Sequence, residues 1–249
     1  MLELIECSAA YGPRAALSSV TLKVAAGRTA CIVGPSGCGK TTLLMLAAGL
    51  KSPSRGAVLV GGEPGVPGDR RVGLILQQYG LFPWFTVQQN VELGLKIRGT
   101  PVPERRRIAA RELAQAGLEG CANLYPAELS GGQQQRVAIA RAYALQPRLL
   151  LMDEPFSALD ALNREALQDL LLFAPHRSRP AILLVTHSIE EAVYLGNEIW
   201  VLAGSPGKVV GMLENPGQGS RGYRTEDGFF RLCREVRALM AQHPPGAAP

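Results

Sequence analysis

The chain is short of cysteine, histidine and unbroken apolar stretches. Its five cysteines stand at positions 7, 31, 38, 121 and 233, an odd number, widely spaced and without a CxxC pair. That pattern excludes a disulfide frame and a thiolate zinc site, and it points to reduced thiols in a cytosolic compartment. No run approaches the roughly 18 consecutive apolar residues that a membrane-spanning helix requires. The first residues lack a basic segment followed by an apolar one, so no secretory signal is expected. Internal repeats, coiled-coil heptads and low-complexity tracts are missing before the tail.

What remains is an ordinary globular composition. At 249 residues and 47% hydrophobic, the chain can bury a large core in one domain or two closely packed lobes. Charged residues make up 19% and mean hydropathy is +0.07. The net charge of +5, with arginine far outnumbering lysine, permits contact with nucleic acid or an anionic membrane. The densest basic cluster, Arg105, Arg106 and Arg107 with Arg111, falls on an expected helix without interleaved aromatics. It reads as a solvated helix face.

The most informative stretch is Gly34-Pro35-Ser36-Gly37-Cys38-Gly39-Lys40-Thr41-Thr42. A β-branched apolar run, Thr29 to Val33, precedes it, and Leu43 to Ala48 follows as a helix. Strand, glycine-rich turn and helix are the context in which GxxxxGK[ST] forms a phosphate-binding loop. The glycines let successive N–H groups point inward as an anion nest, and the helix adds the positive end of its dipole. Lys40 can reach the β- and γ-phosphates and the Thr41 hydroxyl can ligate Mg²⁺. These residues predict binding of a nucleoside triphosphate. Cys38 sits within this electropositive nest, so its pKa is expected to fall and its alkylation to inhibit, with ATP protecting.

Other segments fit around that loop. Leu2–Glu6 and Leu17–Val24 alternate as half-exposed strands, with Tyr11-Gly12-Pro13 as the turn between. Tyr11 either packs on the core or stacks on a base. Ala57–Val60 and Val72–Leu76 read as strands, and the second runs into Gln77-Gln78-Tyr79-Gly80-Leu81-Phe82-Pro83-Trp84-Phe85. That aromatic loop is either a lid on the core or a partner-docking pocket. From about Thr86 to Leu129 the pattern is helical, including Pro103 to Ala116. Ser130 is then placed to cap a helix from about Gly132 to Leu145. This glycine-led N-terminus is a second anion site.

The strand Leu149–Met152 ends in Asp153-Glu154-Pro155, two carboxylates at the strand end where open α/β sheets bind ligands. Asp153 is suited to hold Mg²⁺, mostly through water, and Glu154 to orient or deprotonate an attacking water. Ser157 to Asp160 opens a loop before a helix from about Leu162 to Phe173. The strand Ala181–Val185 delivers Thr186-His187, and His187 is either a satisfied loop histidine or a γ-phosphate contact. Ile189–Leu195 reads as helix, Ile199–Ala203 as strand and Gly204–Gly207 as a turn. Asn215 to Gly222 reads as a glycine-rich linker. Asp227 is placed to cap a helix to about Ala241 with Phe229, Leu232, Val236, Leu239 and Met240 on one face. That helix is expected to dock on the body, and residues 243–249 are expected to be disordered.

The P-loop, Leu129-Ser130-Gly131-Gly132-Gln133, Asp153-Glu154-Pro155, Ala158-Leu159-Asp160 and Thr186-His187, in this order and spacing, resemble the ATP-binding subunits of ABC transporters over essentially the whole chain. LSGGQ discriminates, since other P-loop NTPases lack it. The resemblance implies an α/β P-loop NTPase (RecA-like) core with an antiparallel β subdomain and an inserted α-helical subdomain, the ABC ATPase architecture. The ATP-binding domain is expected over 1–204, with the helical insertion at about 86–135 and a short C-terminal extension over 205–249. It implies that Tyr11 stacks on adenine and that Gly34 to Thr42 form Walker A. Gln77 senses Mg²⁺ and the γ-phosphate and links to the membrane partner; it is preferred to Gln78 because it directly ends the strand. Ser130, Gly131, Gly132 and Gln133 form the signature, Asp153 is the Walker B aspartate and Glu154 the catalytic base. Asp160 is the D-loop aspartate and His187 the switch histidine. Gln134 stands where many relatives carry Arg or Lys.

The same resemblance implies ATP and Mg²⁺ as cofactors and a head-to-tail homodimer, with ATP between the P-loop of one copy and the signature of the other. Two transmembrane permease subunits are expected to dock near Gln77–Phe85, served indirectly by a periplasmic or lipid-anchored solute-binding protein. The chain is placed peripherally on the cytoplasmic face of the inner membrane, without a nucleic-acid partner. Leu81-Phe82-Pro83-Trp84, Ile189-Glu190-Glu191-Ala192 and Ser205-Pro206-Gly207-Lys208 resemble the nitrate/sulfonate/taurine importer group. The expected role is energising import of a small anionic solute such as taurine, an alkanesulfonate or nitrate. An exporter subunit and a soluble ABC ATPase of DNA repair or translation are the alternatives.

Overall fold

The computed structural model describes residues 1–173 and 179–243, and the chain divides into two units. The first takes Met1–Val72, Arg148–Glu154 and the chain from Arg179 onward; the second takes Gly73–Pro147 and the segment starting at Pro155.

The first unit opens with a hairpin, β1 (Leu2–Tyr11) and β2 (Arg14–Val24), paired antiparallel from Leu2 opposite Val24 to Tyr11 opposite Arg14. Leu2 and Leu4, then Cys7 and Ala9 beyond a bulge at Ile5-Glu6, are buried on β1, as are Val20, Leu22 and Val24 on β2. This is the period of two expected of a strand with one wet face. After β3 (Thr29–Val33) and α1 (Lys40–Ala47), β4 (Arg55–Val60) joins the other edge of β1 and the two-residue β5 (Glu63–Pro64) joins β4.

A second sheet of this unit carries β3 at its centre. Its strands are β7 (Leu149–Asp153), β8 (Ala181–Thr186), β9 (Glu198–Ala203) and β10 (Lys208–Glu214), in the spatial order β10-β9-β3-β8-β7. The pairs β7–β8, β8–β3 and β3–β9 are parallel, and β10 is antiparallel to β9. Every residue of β3, β7 and β8 is buried, as parallel strands covered on both faces must be. Parallel register sends the carboxyl ends of β3, β7 and β8 to one edge. Gly34, Asp153-Glu154 and Thr186-His187 therefore arrive together.

In the second unit, β6 (Val72–Ile75) leads to four helices: α2 (Val87–Ile97), α3 (Val102–Gln115), α4 (Gly131–Ala144) and α5 (Ala161–Phe173). Val87, Val91, Leu95, Leu113, Leu118 and Val137 form its apolar centre. Thr86 starts α2 through a capping box: its hydroxyl accepts from Gln89 N–H at 3.3 Å, and the Gln89 side chain accepts from Thr86 N–H at 2.9 Å. Arg106 and Arg107 are exposed on α3, while Arg105 pairs with Glu92 at 2.8 Å.

The C-terminal part differs from the sequence expectation in three ways. β10 follows the expected Gly204–Gly207 turn over residues for which the sequence suggests no element, since Gly211 interrupts their apolar pattern and an edge strand needs just one partner. The stretch from Asn215 to Gly222 is a hydrogen-bonded segment, not a linker. Buried Asn215 donates to the carbonyls of Val193 at 2.6 Å and Gly196 at 2.8 Å, and accepts from the Tyr223 hydroxyl at 2.6 Å. Finally, Asp227 is the first residue of α7 (Asp227–Ala241); Glu226 occupies the cap position and makes no side-chain cap bond. Phe229, Leu232, Cys233 and Val236 are buried on one face of α7, which packs against α6 (Ile189–Leu195), β9 and β10. The disorder expected over 243–249 lies, from residue 244, outside the described residues.

Candidate active site

Glycine geometry builds the phosphate loop. A Cβ on Gly34 would meet the Leu202 carbonyl oxygen at 2.2 Å and Cys38 Sγ at 2.8 Å. Gly39 turns the chain into α1 with φ +100°, and a Cβ there would meet Leu17 and the Ala16 carbonyl oxygen. Neither position admits a side chain without moving backbone. The Lys40 ammonium folds back on the loop, donating to the carbonyls of Gly34 at 2.8 Å and Pro35 at 2.9 Å. Without those bonds a buried ammonium would be costly.

The acidic edge lies beside it. Thr41 Oγ1 donates to Asp153 Oδ1 at 3.4 Å. Burial pushes the Asp153 carboxyl above its ordinary range, against the lowering effects of the Thr41 hydrogen bond and of Lys40. Glu154 has φ +43°, a left-handed conformation rarely taken by a glutamate and costing about 1 kcal/mol or more. Its N–H donates to the Val185 carbonyl at 2.9 Å, which holds the turn. Oε2 of Glu154 lies 3.1 Å from Nδ1 of His187. His187 is fixed from behind: the Thr186 hydroxyl donates to the buried Glu191 carboxylate and accepts from Ser188 N–H, and Ser188 caps α6 through Glu191 N–H at 3.2 Å.

These groups open onto a cavity of about 460 Å³ lined by Tyr11, Arg14, Ser36, Lys40, Thr41 and Glu154, among others. Tyr11 is half-exposed, not packed in the core, and Lys51 Nζ sits 4.1 Å from its ring centroid. Of the two sequence readings, the structure places Tyr11 at the cavity. Arg14 and Ser205, which also line it, escaped sequence reasoning. Arg14 follows the Tyr11-Gly12-Pro13 turn directly, and that spacing was the available signal. Ser205 is brought in by Gly207, where a Cβ would overlap the Cys38 carbonyl oxygen, and sequence carries no sign of this.

Cys38 departs from expectation. Its side chain is 2% exposed, and burial raises the thiol pKa more than Lys40 lowers it. It is a core thiol, so the expectation of a reactive, ATP-protected cysteine is withdrawn.

The remaining predicted residues belong to the second unit. Ser130 caps α4 reciprocally with Gln133: Gln133 N–H donates to Ser130 Oγ at 3.3 Å, and Ser130 N–H to Gln133 Oε1 at 2.9 Å. Gly131 and Gly132 form the first turn, with Gly132 close to Asn163. Asp160 accepts from Asn163 N–H at 3.0 Å and from its side-chain amide at 2.7 Å, bonds that lower its pKa. Gln77 is exposed in the turn after β6; the strand stops at Ile75, so Leu76 separates Gln77 from its end. Phe82, Trp84 and Phe85 cluster with centroids 5.6 to 6.3 Å apart, and Trp84 is 67% exposed.

A glycine-cradled lysine, an adjacent hydroxyl and a carboxylate–histidine pair at the strand ends define a P-loop nucleotide hydrolase. The ABC transporter family model matches residues 17–157, and the chain belongs to that family: it is an ABC ATPase. A taurine import ATP-binding protein of Chromobacterium violaceum is 45% identical over 231 residues, covering 90% of this chain and 88% of the relative. A putative ATP-binding protein of Brucella abortus is 51% identical over 200 residues, 80% and 76% of the two chains. Among solved structures, the dimeric bacterial ABC transporter cassette MJ0796 matches with a TM-score of 0.76 at 34% identity, over 86% of this chain and 98% of that one. A post-hydrolysis dimer of the same cassette with ADP and phosphate matches at 0.75.

Proposed function

We propose that this ATPase energises an ABC importer for a small anionic solute, with taurine, an alkanesulfonate or nitrate as the candidate cargoes. The observation that carries the reading is the likeness to a taurine import ATP-binding protein over nine-tenths of the chain, supported by a cavity lined by Tyr11, Lys40, Thr41 and Glu154, with Asp153 bonded to Thr41 and His187 to Glu154. In this reading Tyr11 stacks on adenine and Gly34 to Thr42 hold the phosphates, with Lys40 turning from its loop carbonyls to the β- and γ-phosphates. The oxygen donors Thr41 and Asp153 suit Mg²⁺, which neutralises phosphate charge when bound. Glu154 takes the proton of the attacking water and His187 holds the carboxylate in place and contacts the γ-phosphate.

Gln77 links the nucleotide to the membrane partner, and permease subunits dock near Gln77–Phe85. Ser130, Gly131, Gly132 and Gln133 present their helix N-terminus to the ATP of a second copy in a head-to-tail dimer, with Asp160 at the same interface. ATP binding closes that dimer and hydrolysis resets it. The chain would act peripherally at the cytoplasmic face of the membrane, consistent with the finding that no described helix is long and apolar enough to cross it. The test is deletion of the gene followed by growth on taurine, an alkanesulfonate or nitrate as sole sulphur or nitrogen source. Loss of growth on one, restored by the wild type and not by Glu154→Gln, supports the assignment; unimpaired growth on all three removes the cargo class.

A further inference from the structure

The turn after Gln77 is attached to the signature helix by Arg141. The guanidinium of Arg141, in the last turn of α4, donates through Nη1 to the Gly80 carbonyl at 2.6 Å and through Nη2 to the Tyr79 carbonyl at 2.7 Å. Tyr79 takes φ +60° and Gly80 φ +59°, so two consecutive left-handed residues turn their carbonyls to one fork. The planar guanidinium matches two adjacent acceptors as an ammonium cannot. Tyr79 reaches the same helix a second time: its hydroxyl lies 3.7 Å from where a Cβ on Gly131 would stand, at the start of α4. One residue of the turn therefore bonds α4 at Arg141 and stands beside Gly131, ten residues and about 15 Å apart along the axis.

The far side of the loop is held separately. Buried Asn90 accepts from Phe82 N–H at 2.8 Å and donates to the carbonyls of Phe82, Phe85 and Thr86 at 3.0 to 3.1 Å. The aromatic segment 82–85 is thus fixed to α2, and the turn 79–80 to α4. The Arg141 fork binds the turn backbone to the helix carrying Ser130 to Gln133.

We propose that Arg141 is a positioning residue that couples the Gln77–Phe85 loop to the N-terminus of the signature helix, so that nucleotide engaged by Ser130 to Gln133 is registered in the loop. The proposal rests on the ATP-closed dimer put forward above. Arg141 touches neither nucleotide nor reacting atoms; it acts through Tyr79 and Gly80.

Trp84 supplies the reporter. In a Glu154→Gln, Trp200→Phe parent, Trp84 is the sole tryptophan, since the chain has two. Light scattering reads ATP-driven dimerisation and Trp84 emission reads the loop in the same sample. The parent is expected to dimerise and to shift its emission. Adding Arg141→Lys is expected to leave dimerisation intact and to cut the emission response at least fivefold. An undiminished response, or loss of dimerisation together with the response, overturns the proposal while leaving the dimer reading in place. A parent that stays monomeric with ATP overturns the dimer reading and this proposal with it. Hydrogen exchange on Glu154→Gln, with Arg141 untouched, gives a check independent of the lysine variant's folding. Amides of residues 77–81 and 131–136 are expected to gain protection together on ATP addition, and protection confined to 131–136 overturns the coupling.

Discussion

His187 Nδ1 and Glu154 Oε2 lie 3.1 Å apart, one at the end of β8 and the other just past β7. The parallel pairing of these strands, Asp153 opposite Val185, brings the two backbone positions side by side, and the side chains close the remaining distance. Glu154→Gln keeps the shape but cannot take a proton. It is expected to bind ATP with near-normal affinity and to lower turnover by about 10²–10⁴-fold, the usual worth of a general base. Phosphate release measured beside nucleotide binding checks this, and wild-type turnover would remove Glu154 from the role. His187→Ala should lower turnover with little change in affinity, because the Lys40 loop is untouched.

Lys40→Ala should act on affinity itself. The ammonium is already desolvated and satisfied by two loop carbonyls, so it can be handed to phosphate oxygens without fresh burial. Losing a charge-assisted hydrogen bond of about 1.5–3 kcal/mol predicts roughly 10- to 150-fold weaker ATP binding by calorimetry. Unchanged affinity would sink the phosphate-loop assignment.

Gly34→Ala tests the backbone part of the loop. With the Leu202 carbonyl oxygen 2.2 Å from the added Cβ, either the loop or β9 must move. The variant is expected to melt several degrees lower and to lose ATP binding even though no charged group is changed. A variant with wild-type melting and affinity would show that the loop relaxes freely.

The thiols offer a further check. Cys38 is 2% exposed with its pKa raised by burial, and Cys233 is buried with its thiol pushed up to about 11. Cys121 is the one partly exposed thiol among the described residues. Brief iodoacetamide treatment followed by peptide mass spectrometry should label Cys121 first and Cys38 only on unfolding, leaving ATPase activity intact. Rapid labelling of Cys38 in the folded protein would contradict its burial.

Much of this site was legible because it is local in sequence. The GxxxxGK[ST] run, the DEP and TH pairs at strand ends and the LSGGQ helix start each state their geometry within a few residues. Capping of α4 by Ser130 is such a case, since the cap and its Gln133 partner are three apart. What escaped depends on distant partners. Ser205 reaches the cavity through the packing of Gly207 on Cys38, and the edge strand β10 is defined by β9. Cys38 shows two effects in competition: the local cation lowers its pKa, the burial around it raises it, and burial is the larger.

Asn215 is the clearest instance of structure made by distant partners. It stands in a Gly/Pro-rich run with no periodic pattern, yet its side chain joins the end of α6, at Val193 and Gly196, to the Tyr223 hydroxyl ahead of α7. Asn215→Ala leaves two carbonyls, a phenol and the Gly217 N–H to find other partners, at about 0.7 kcal/mol net for each hydrogen bond lost. A loss of about 2–3 kcal/mol corresponds to a fall of roughly 4–12 °C in the melting midpoint for a chain of this size. Tyr223→Phe removes one of those four bonds and should cost about a quarter as much. Because the two residues share a bond, the double variant should be less destabilised than the sum of the singles, by about the energy of that bond. Strict additivity in a melting experiment would mean that the Tyr223 hydroxyl does not hold Asn215.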